Sequence, residues 1–235
     1  MIILACDTSN SSCCAGVYND SKPLAFRLSM ERKTHSETFM PLVSEVMSEA
    51  GVTYSDLDCF AVTVGPGSFT GIRIGLSAVK GMALAASRPV IPVSSTLALA
   101  ASCDIADDYG RPTYFIPCFD ARNNRIFAQM TTRDYSHSLI EEDAYDAAKF
   151  ASLVKKMVGQ AKPRIIVVGN GANTVRDNFA EAGVVAEYAP GAVILPKGVV
   201  TCALAEPRML DGAEVTASYC AVSQAERFKA PSKDV

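Results

Sequence analysis

The sequence predicts an α/β protein of two similar lobes, each a mixed sheet flanked by helices. Apolar runs typical of buried strands alternate with helical patterns along most of the 235 residues. Each half opens with a strand that ends in an aspartate, Asp7 in the first half and Asp120 in the second. Each half also places a glycine turn between an apolar run and a helix, at residues 64–70 and 168–174. Because both features recur in the same order, we predict a duplicated unit.

The first half begins with a predicted antiparallel meander and continues with alternating helices and strands. In order, we predict strands at residues 1–6, 12–18 and 24–30, a helix at 34–50, a strand at 59–64, a helix at 72–86, a strand at 90–93 and a helix ending near 102. Thr34-His35-Ser36-Glu37 fits a capping box at the start of the first helix, and Gly51 ends it. Pro41 should either kink this helix or mark its true start.

The second half repeats this plan after a polar link at residues 104–112. In order, we predict strands at residues 114–120 and 125–132, a helix at 145–158, a strand at 164–168, a helix ending near 183, a strand around 184–188 and a helix around 198–209. We therefore expect a first lobe at residues 1–103, a second at 113–228 whose last helix could pack back on the first, and a loose tail at 229–235.

The composition limits the classes of function. The formal net charge is -3 and the chain has no basic run, which argues against general nucleic-acid binding. Eight cysteines without a CxxC pair, mostly inside apolar runs, predict buried reduced thiols. No basic segment precedes the first apolar run, and no apolar run approaches the ~18 residues of a membrane span. We expect a cytoplasmic protein that does not bind membranes.

The first glycine turn is the strongest candidate site. Gly65 and Gly67 permit unusual backbone angles, and Ser68 or Thr70 can cap the helix that follows. Such a turn directs N–H groups at an anion, so we predict a nucleotide or anion site there. The residues of this predicted site are Asp7, Thr8, Ser9, Gly65, Gly67 and Ser68.

The basic residues that a nucleotide needs are missing beside this turn. A micromolar site requires about 8 kcal/mol, whereas one helix N-terminus supplies about 0.3–1 kcal/mol. The turn has no lysine, and Arg73 falls one turn into the helix. We therefore expect no cofactor of the chain's own and, at most, a weakly bound or partner-shared ATP or ADP with Mg²⁺. For Asp7 alone, bonding to local N–H groups in its turn is the alternative to a Mg²⁺ role.

The helix after the turn carries two stripes. Its apolar stripe is Ile72, Leu76, Val79, Ala83 and Ala86, and its small-residue stripe is Gly71, Gly75, Ala78, Met82 and Ala85. A helix lying on one sheet needs only one such stripe. The second stripe packs either against the preceding helix, which contains Phe39, or against a partner chain.

Four segments together resemble a known family. They are Ile3-Leu4-Ala5-Cys6-Asp7-Thr8-Ser9, His35-Ser36-Glu37, Gly65-Pro66-Gly67-Ser68-Phe69-Thr70-Gly71-Ile72-Arg73-Ile74-Gly75 and Asp120-Ala121-Arg122. In these motifs the chain resembles the bacterial TsaB (YeaZ) family, which belongs to the glycoprotease-like, peptidase M22-like proteins. The resemblance spans nearly the whole chain and is strongest to about residue 100. It implies the two-lobed actin-like fold, also called ASKHA or ribonuclease H-like.

The resemblance also implies a function and partners. It implies a non-catalytic scaffold needed for N6-threonylcarbamoyladenosine at tRNA position A37, which binds its enzyme relative of the TsaD type. Further implied partners are a TsaE-type ATPase and a second copy in a homodimer competing for the same surface, with tRNA contacted only indirectly. The implied interface residues are Phe39, Val43, Val46, Met47, Gly71, Ile74, Gly75, Ala78 and Met82.

The chain departs from the metal motif of the related enzyme, His-x-Glu-x-His. His35 and Glu37 match, but Phe39 stands at the second histidine position, so we expect neither metal nor catalytic residues. Two alternatives from other classes stay open on the residues alone. A small-molecule kinase or ATPase of the same fold predicts saturable ATP binding and phosphate transfer. A metallopeptidase predicts stoichiometric bound metal.

Overall fold

The computed structural model describes residues 1–31, 34–106, 110–135 and 137–220. Within these residues, the predicted strands and helices occur in the predicted order, with one further strand, Ser138–Asp146, in the second half. The strands are β1 (Ile2–Asp7), β2 (Cys13–Asn19), β3 (Lys22–Ser29), β4 (Cys59–Gly65), β5 (Val90–Ser94), β6 (Thr113–Asp120), β7 (Arg125–Thr132), β8 (Ser138–Asp146), β9 (Arg164–Val168) and β10 (Glu187–Ala189). The α-helices are α1 (His35–Ala50), α2 (Phe69–Ala86), α3 (Ser95–Ala101), α4 (Ala147–Val158), α5 (Ala172–Glu181) and α6 (Pro196–Ala205). A short 3-10 helix covers Tyr54–Asp56.

The two sheets share one topology. The first has the order β3-β2-β1-β4-β5, and the second, taken from its other edge, has the order β8-β7-β6-β9-β10. In each, three consecutive strands pair antiparallel, and two later strands join in parallel beside the first of them. The prediction of a duplicated mixed sheet flanked by helices is therefore confirmed.

Three apolar clusters build the protein. One lies between the first sheet and α1 with α2, and contains Phe39, Val62 and Val79. A second lies between the two sheets and takes in α3 and α6, and a third packs α4 and α5 on the far face of the second sheet. Through the middle cluster, α6 packs against β1 of the first sheet, with Val199 and Val200 fully enclosed.

The helix ends follow the local chemistry. Thr34 is the N-cap of α1, although its side chain makes no capping bond, and Pro41 lies inside the helix rather than at its start. Gly51 ends α1 in the left-handed region at φ +67. The Ser68 side chain caps α2 as predicted, because it accepts a hydrogen bond from the Gly71 amide at 3.2 Å.

Strand β8 was not predicted. Four of its nine residues are Asp or Glu, and this composition disfavours a strand. It forms at the edge of the sheet, where it pairs with β7 and buries the side chain of its own Ile140. Its last residue, Asp146, caps α4 by accepting bonds from two amides, each at 3.1 Å.

The chain after α6 returns to the first sheet. Leu210 exchanges two backbone hydrogen bonds of 2.9 Å with Val90 on the edge strand β5. Val215 is buried against the core below α2, and the Ser218 amide donates to the Val64 carbonyl at 2.7 Å. The part of this segment up to residue 220 thus lies on the first sheet. The predicted tail at 229–235 and the end of the predicted second lobe lie outside the described residues.

All eight cysteines are free. Cys6, Cys13, Cys14, Cys59 and Cys118 are buried and the other three are partly exposed. Burial raises the pKa of the Cys13 thiol to about 12, so this group stays protonated at neutral pH. The prediction of reduced, mostly buried thiols is confirmed.

Candidate functional site

Asp7 lies at the end of β1, and its carboxylate holds the neighbouring turn together. Its Oδ1 accepts hydrogen bonds from the Ser9 amide at 3.0 Å, the Ser9 hydroxyl at 2.6 Å and the Thr63 hydroxyl at 2.6 Å. Its Oδ2 is buried and has no hydrogen-bond partner among the described residues. Burial raises the pKa of this carboxyl group, and the donors on Ser9 and Thr63 offset the shift only in part. Asp7 is therefore enclosed by its own chain.

The small residues at the start of α2 seat the helix on the turn after β1. A Cβ atom on Gly71 would lie 2.1 Å from the Thr8 carbonyl oxygen, and one on Gly75 would lie 2.3 Å from Thr8 Oγ1. The Thr8 hydroxyl donates to the Gly71 carbonyl at 2.7 Å. Gly71 and Gly75 are buried, so the interpretation of these two glycines as partner-facing residues is wrong for this structure. They allow close approach within the lobe.

The glycine turn itself is covered on two sides by the protein's own backbone. Gly65 has a φ of +119, and a Cβ atom there would lie 2.2 Å from the Ser218 carbonyl oxygen. A Cβ atom on Gly67 would lie 2.2 Å from the Ser9 carbonyl oxygen. The Ser68 amide already donates to that same oxygen at 2.7 Å.

The structure thus brings all six residues of the predicted anion site together but packs them against one another. The carbonyl oxygens of Ser9 and Ser218 lie beside Gly67 and Gly65 of the turn, and such oxygens disfavour a bound phosphate. Arg73 points elsewhere, because its guanidinium lies 3.6 Å from the centre of the Phe69 ring and its Nε donates to the Tyr219 hydroxyl at 3.1 Å. Nucleotide binding at this turn stays a prediction, and the packing does not favour it.

The four predicted interface residues on α1 belong to the core. Phe39, Val43, Val46 and Met47 are all buried against the first sheet. They occupy the stripe of α1 that faces inward, so in this structure they cannot contact a partner. Their helical spacing is the ordinary spacing of a core-facing helix, and the resemblance alone had implied an interface here.

A different part of α2 faces outward. Of the predicted interface residues, Ile74, Ala78 and Met82 are partly exposed. The fold adds Gly81, Leu84 and Ala85, which are exposed. We call these six residues the outer α2 face. The Leu84 side chain is 79% exposed, and a Cβ atom on Gly81 would meet no atom within 4 Å. The signal for the added residues was in the sequence, since Ile74, Ala78, Gly81 and Ala85 recur at helical spacing.

Within the described residues, α2 has the length and mean hydropathy of a membrane span, 1.2 over 18 residues. The sequence pattern had predicted no apolar run as long as a membrane span. One third of this window is buried inside the protein, and the core helix of a soluble protein passes the same test. The unburied remainder includes the outer α2 face.

The metal-like motif at the start of α1 has structural contacts. His35 Nε2 lies 2.5 Å from the Asn10 carbonyl oxygen, and Glu37 is exposed. Phe39 is 1% exposed in the core. No group of three or more His, Cys, Asp or Glu residues among the described parts of the chain is arranged to hold a metal ion.

A polar cluster between the two sheets was missed by sequence reasoning. Glu142 on β8 accepts hydrogen bonds at Oε1 from the Ser94 hydroxyl at 2.5 Å and the Gln129 amide at 3.3 Å, and also contacts the Thr96 hydroxyl. Burial raises the pKa of the Glu142 carboxyl group, opposed by these donors. Ser94 and Thr96 belong to the first half of the chain, so the cluster joins the halves.

Two lobes of this topology, each with a strand ending in aspartate beside a glycine turn, define the class of two-lobed actin-like proteins. A solved structure described as YeaZ from Pseudomonas aeruginosa has a TM-score of 0.75 with this chain. The match covers 93% of this chain and 99% of that one, at 22% identity, and it supports the fold.

Sequence comparisons place the chain more narrowly. The model of the family TsaD, tRNA N6-adenosine threonylcarbamoyltransferase, matches residues 29–190. The tRNA threonylcarbamoyladenosine biosynthesis protein TsaB of Escherichia coli (strain K12) is 29% identical over 83% of this chain and 82% of its own. A tRNA N6-adenosine threonylcarbamoyltransferase of Erythrobacter litoralis is 41% identical over 32% of this chain and 22% of its own. The chain therefore belongs to the TsaD family and, within it, to the TsaB (YeaZ) group.

Proposed function

We propose that this protein is a non-catalytic subunit required for forming N6-threonylcarbamoyladenosine at tRNA position A37, and that it supports a TsaD-type enzyme. The observation that carries the proposal is the similarity to a TsaB protein over four fifths of both chains. Two buried residues fit it: Phe39, at the second histidine position of the enzyme's metal motif, is a core residue, and Asp7 is enclosed. The matched relatives are named for this modification, and these names do not favour a small-molecule kinase.

The outer α2 face is the surface we propose for the enzyme partner. It combines apolar side chains with small residues, which lets a partner helix approach closely. A face that is apolar and exposed along three turns of helix is typical of a docking surface. A second copy of this chain would compete for the same face. A TsaE-type ATPase would join the assembly, tRNA would be contacted indirectly, and the complex would act in the cytoplasm without a membrane.

The protein would need no nucleotide of its own. The Ser9 carbonyl oxygen occupies the space beside the turn at Gly67. Any ATP or ADP with Mg²⁺ would be weakly bound or shared with a partner. Isothermal titration of the isolated chain with ATP and Mg²⁺ checks this, and saturable micromolar binding would contradict it.

Reconstitution with the purified TsaD-type and TsaE-type proteins tests the function. Gly81→Arg places a long cation on the outer α2 face without an internal clash. Gly75→Arg would disturb the fold, because its side chain would clash with the Thr8 hydroxyl. We expect Gly81→Arg to abolish both modification of tRNA and co-purification with the enzyme. Gly191→Arg is the matched control, since Gly191 is exposed with no atom near its Cβ position. Full modification activity with Gly81→Arg would reject this surface, and full activity without the chain would reject the function.

A further inference from the structure

A cleft lies at one end of the second sheet, where α4 ends and β9 begins. Its volume is about 620 Å³, within the range of ligand-binding clefts. A second hollow of about 320 Å³ shares Arg111, Val158 and Lys162 with it and extends towards Met157 and Leu139. Together they form an elongated groove, which we call the α4 groove. It is remote in the fold from the outer α2 face.

The walls of the α4 groove are mainly apolar. Val158, Ile165 and Val184 line the main hollow, and Val185 at its edge is 88% exposed. Met157 beside the second hollow is 47% exposed. Exposed apolar side chains gathered around a groove are typical of a binding surface.

The rim of the groove is positively charged. Arg111, Lys155 and Lys162 line it, and among the residues that the structure describes no Asp or Glu lines either hollow. Between residues 147 and 176 the sequence has six Lys or Arg residues and no carboxylate, although the whole chain has a net charge of -3. The fold places two of these six cations, Lys155 and Lys162, at the rim beside Arg111 from an earlier part of the chain. Lys155 is held in place by donating to the Gly183 carbonyl at 3.0 Å.

We propose that the α4 groove docks an extended acidic segment of a partner protein. Its apolar side chains would fill the two hollows and its carboxylates would meet the three cations, so both charge and polarity match. A single RNA strand fits less well, because such sites stack successive bases on aromatic side chains, whereas Tyr114 in the second hollow is the one aromatic residue among the described residues that line the two hollows. The proposal stands independently of the function in tRNA modification.

A displayed library of random 12-residue peptides, selected on the immobilised full chain, provides the probe. We expect enrichment of peptides that combine Asp or Glu with large apolar residues. An enriched peptide, labelled with fluorescein, should bind the free protein with fluorescence anisotropy that saturates. Its Kd should rise about tenfold in Lys162→Glu and also in Val185→Glu. Both positions are exposed, so the fold should be kept and circular dichroism would verify this.

The control is Lys22→Glu, which makes the same charge change on the exposed start of β3. It should leave the Kd unchanged. The proposal is overturned by failure to enrich acidic apolar peptides, or by binding that Val185→Glu does not weaken, which would indicate charge attraction alone. It is also overturned if a 12-nucleotide uridine RNA displaces the peptide at lower concentration than unlabelled peptide does, because the site would then be one for nucleic acid.

Discussion

The two glycine turns of this protein occupy matching places in two sheets of identical topology, yet they are packed differently. Aligned on Val64 and Val168, the helix after the first turn carries Gly71 and Gly75 where the helix after the second carries Val175 and Phe179. Val175 and Phe179 are fully buried in the core of the second lobe. The first helix therefore rests on the turn after β1 through glycines, while the second fills the core of its lobe with large side chains at the same two positions.

The two aspartates differ in the same way. Asp7 comes directly after Cys6, the last residue of β1 paired with β4, whereas Asp120 comes three residues after Pro117, the last residue of β6 paired with β9. Asp7 is consequently buried, whereas Asp120 lies beyond the part of β6 that pairs with β9, is paired with β7 alone and is exposed. Duplication thus preserved the topology, while the first lobe closed its turn around a buried carboxylate. A closed turn gives α2 a rigid base, which suits a helix that presents a docking face.

Of the changes that probe this difference between the lobes, Gly71→Ala should lower the stability most. The added Cβ would lie 2.1 Å from the Thr8 carbonyl oxygen, so α2 must move away from the turn. We expect the free energy of unfolding to fall by about 3 kcal/mol, the upper range for overpacking. Urea denaturation measures it.

The matched control for that change is Gly81→Ala on the same helix, where space is open. It should raise stability by up to about 1 kcal/mol, because alanine favours a helix over glycine. Equal stability of the two variants would mean that α2 is not seated on Thr8.

Thr63→Val should have the second-largest effect on stability. The position aligned with Thr63 in the second lobe is Val167, so the change gives β4 the residue that β9 already has. It removes the 2.6 Å hydrogen bond to the buried Asp7 carboxylate at nearly constant volume. We expect a loss of about 2 kcal/mol, since hydrogen bonds to charged groups contribute about 1.5–3 kcal/mol. Chemical denaturation checks this, and a variant as stable as the wild type would show that the Ser9 donors suffice.

Most of the fold followed from periodicity and turn chemistry. The strands around Leu4 and Val62 and the helix from His35 were predicted within a few residues, because each has a strong apolar pattern with a clear cap or turn. Strand β8 was missed because its acidic residues hide the pattern. Glu142 is drawn inward by Ser94 and Gln129, which are distant in sequence, so no local signal could reveal it.

The candidate site was predicted less well than the fold. The residues from Asp7 to Ser68 do meet, as the topology requires. The sequence did not show that Ser9 and Ser218 would cover the turn, because Ser218 returns from the far end of the chain. From the sequence alone, a stripe of α1 that faces the core could not be distinguished from one that faces a partner, because both have the same helical spacing. That choice depends on tertiary packing alone.

Asp7→Asn should change how stability depends on pH. Burial raises the folded-state pKa of Asp7, so the folded protein holds this proton more tightly than the unfolded chain. The favourable contribution of Asp7 is therefore present at low pH and is lost as pH rises from the unfolded value near 3.8 through the raised folded value. Stability of Asp7→Asn relative to the wild type should increase across this window and then level off.

Urea midpoints measured from pH 3.5 to 7.5 provide this test. The matched control is Asp120→Asn in the second lobe, because that carboxylate is exposed. A rise of the same size in both variants would show that burial of Asp7 is not its cause, and a flat profile for Asp7→Asn would show that Asp7 is solvated in solution.

Lys80→Met should have the smallest effect and concerns a contact that the second turn lacks. Lys80 donates from Nζ to the Val215 carbonyl at 2.9 Å and holds the returning C-terminal segment against α2. Its loss should cost about 1 kcal/mol, the net value of one such bond, which lowers the Tm by about 2–4 °C in a chain of this size. Lys149→Met, an exposed lysine on α4, is the control and should leave the Tm unchanged. An equal Tm for both variants would mean that burial of Val215 alone secures the segment and with it the cover over Gly65.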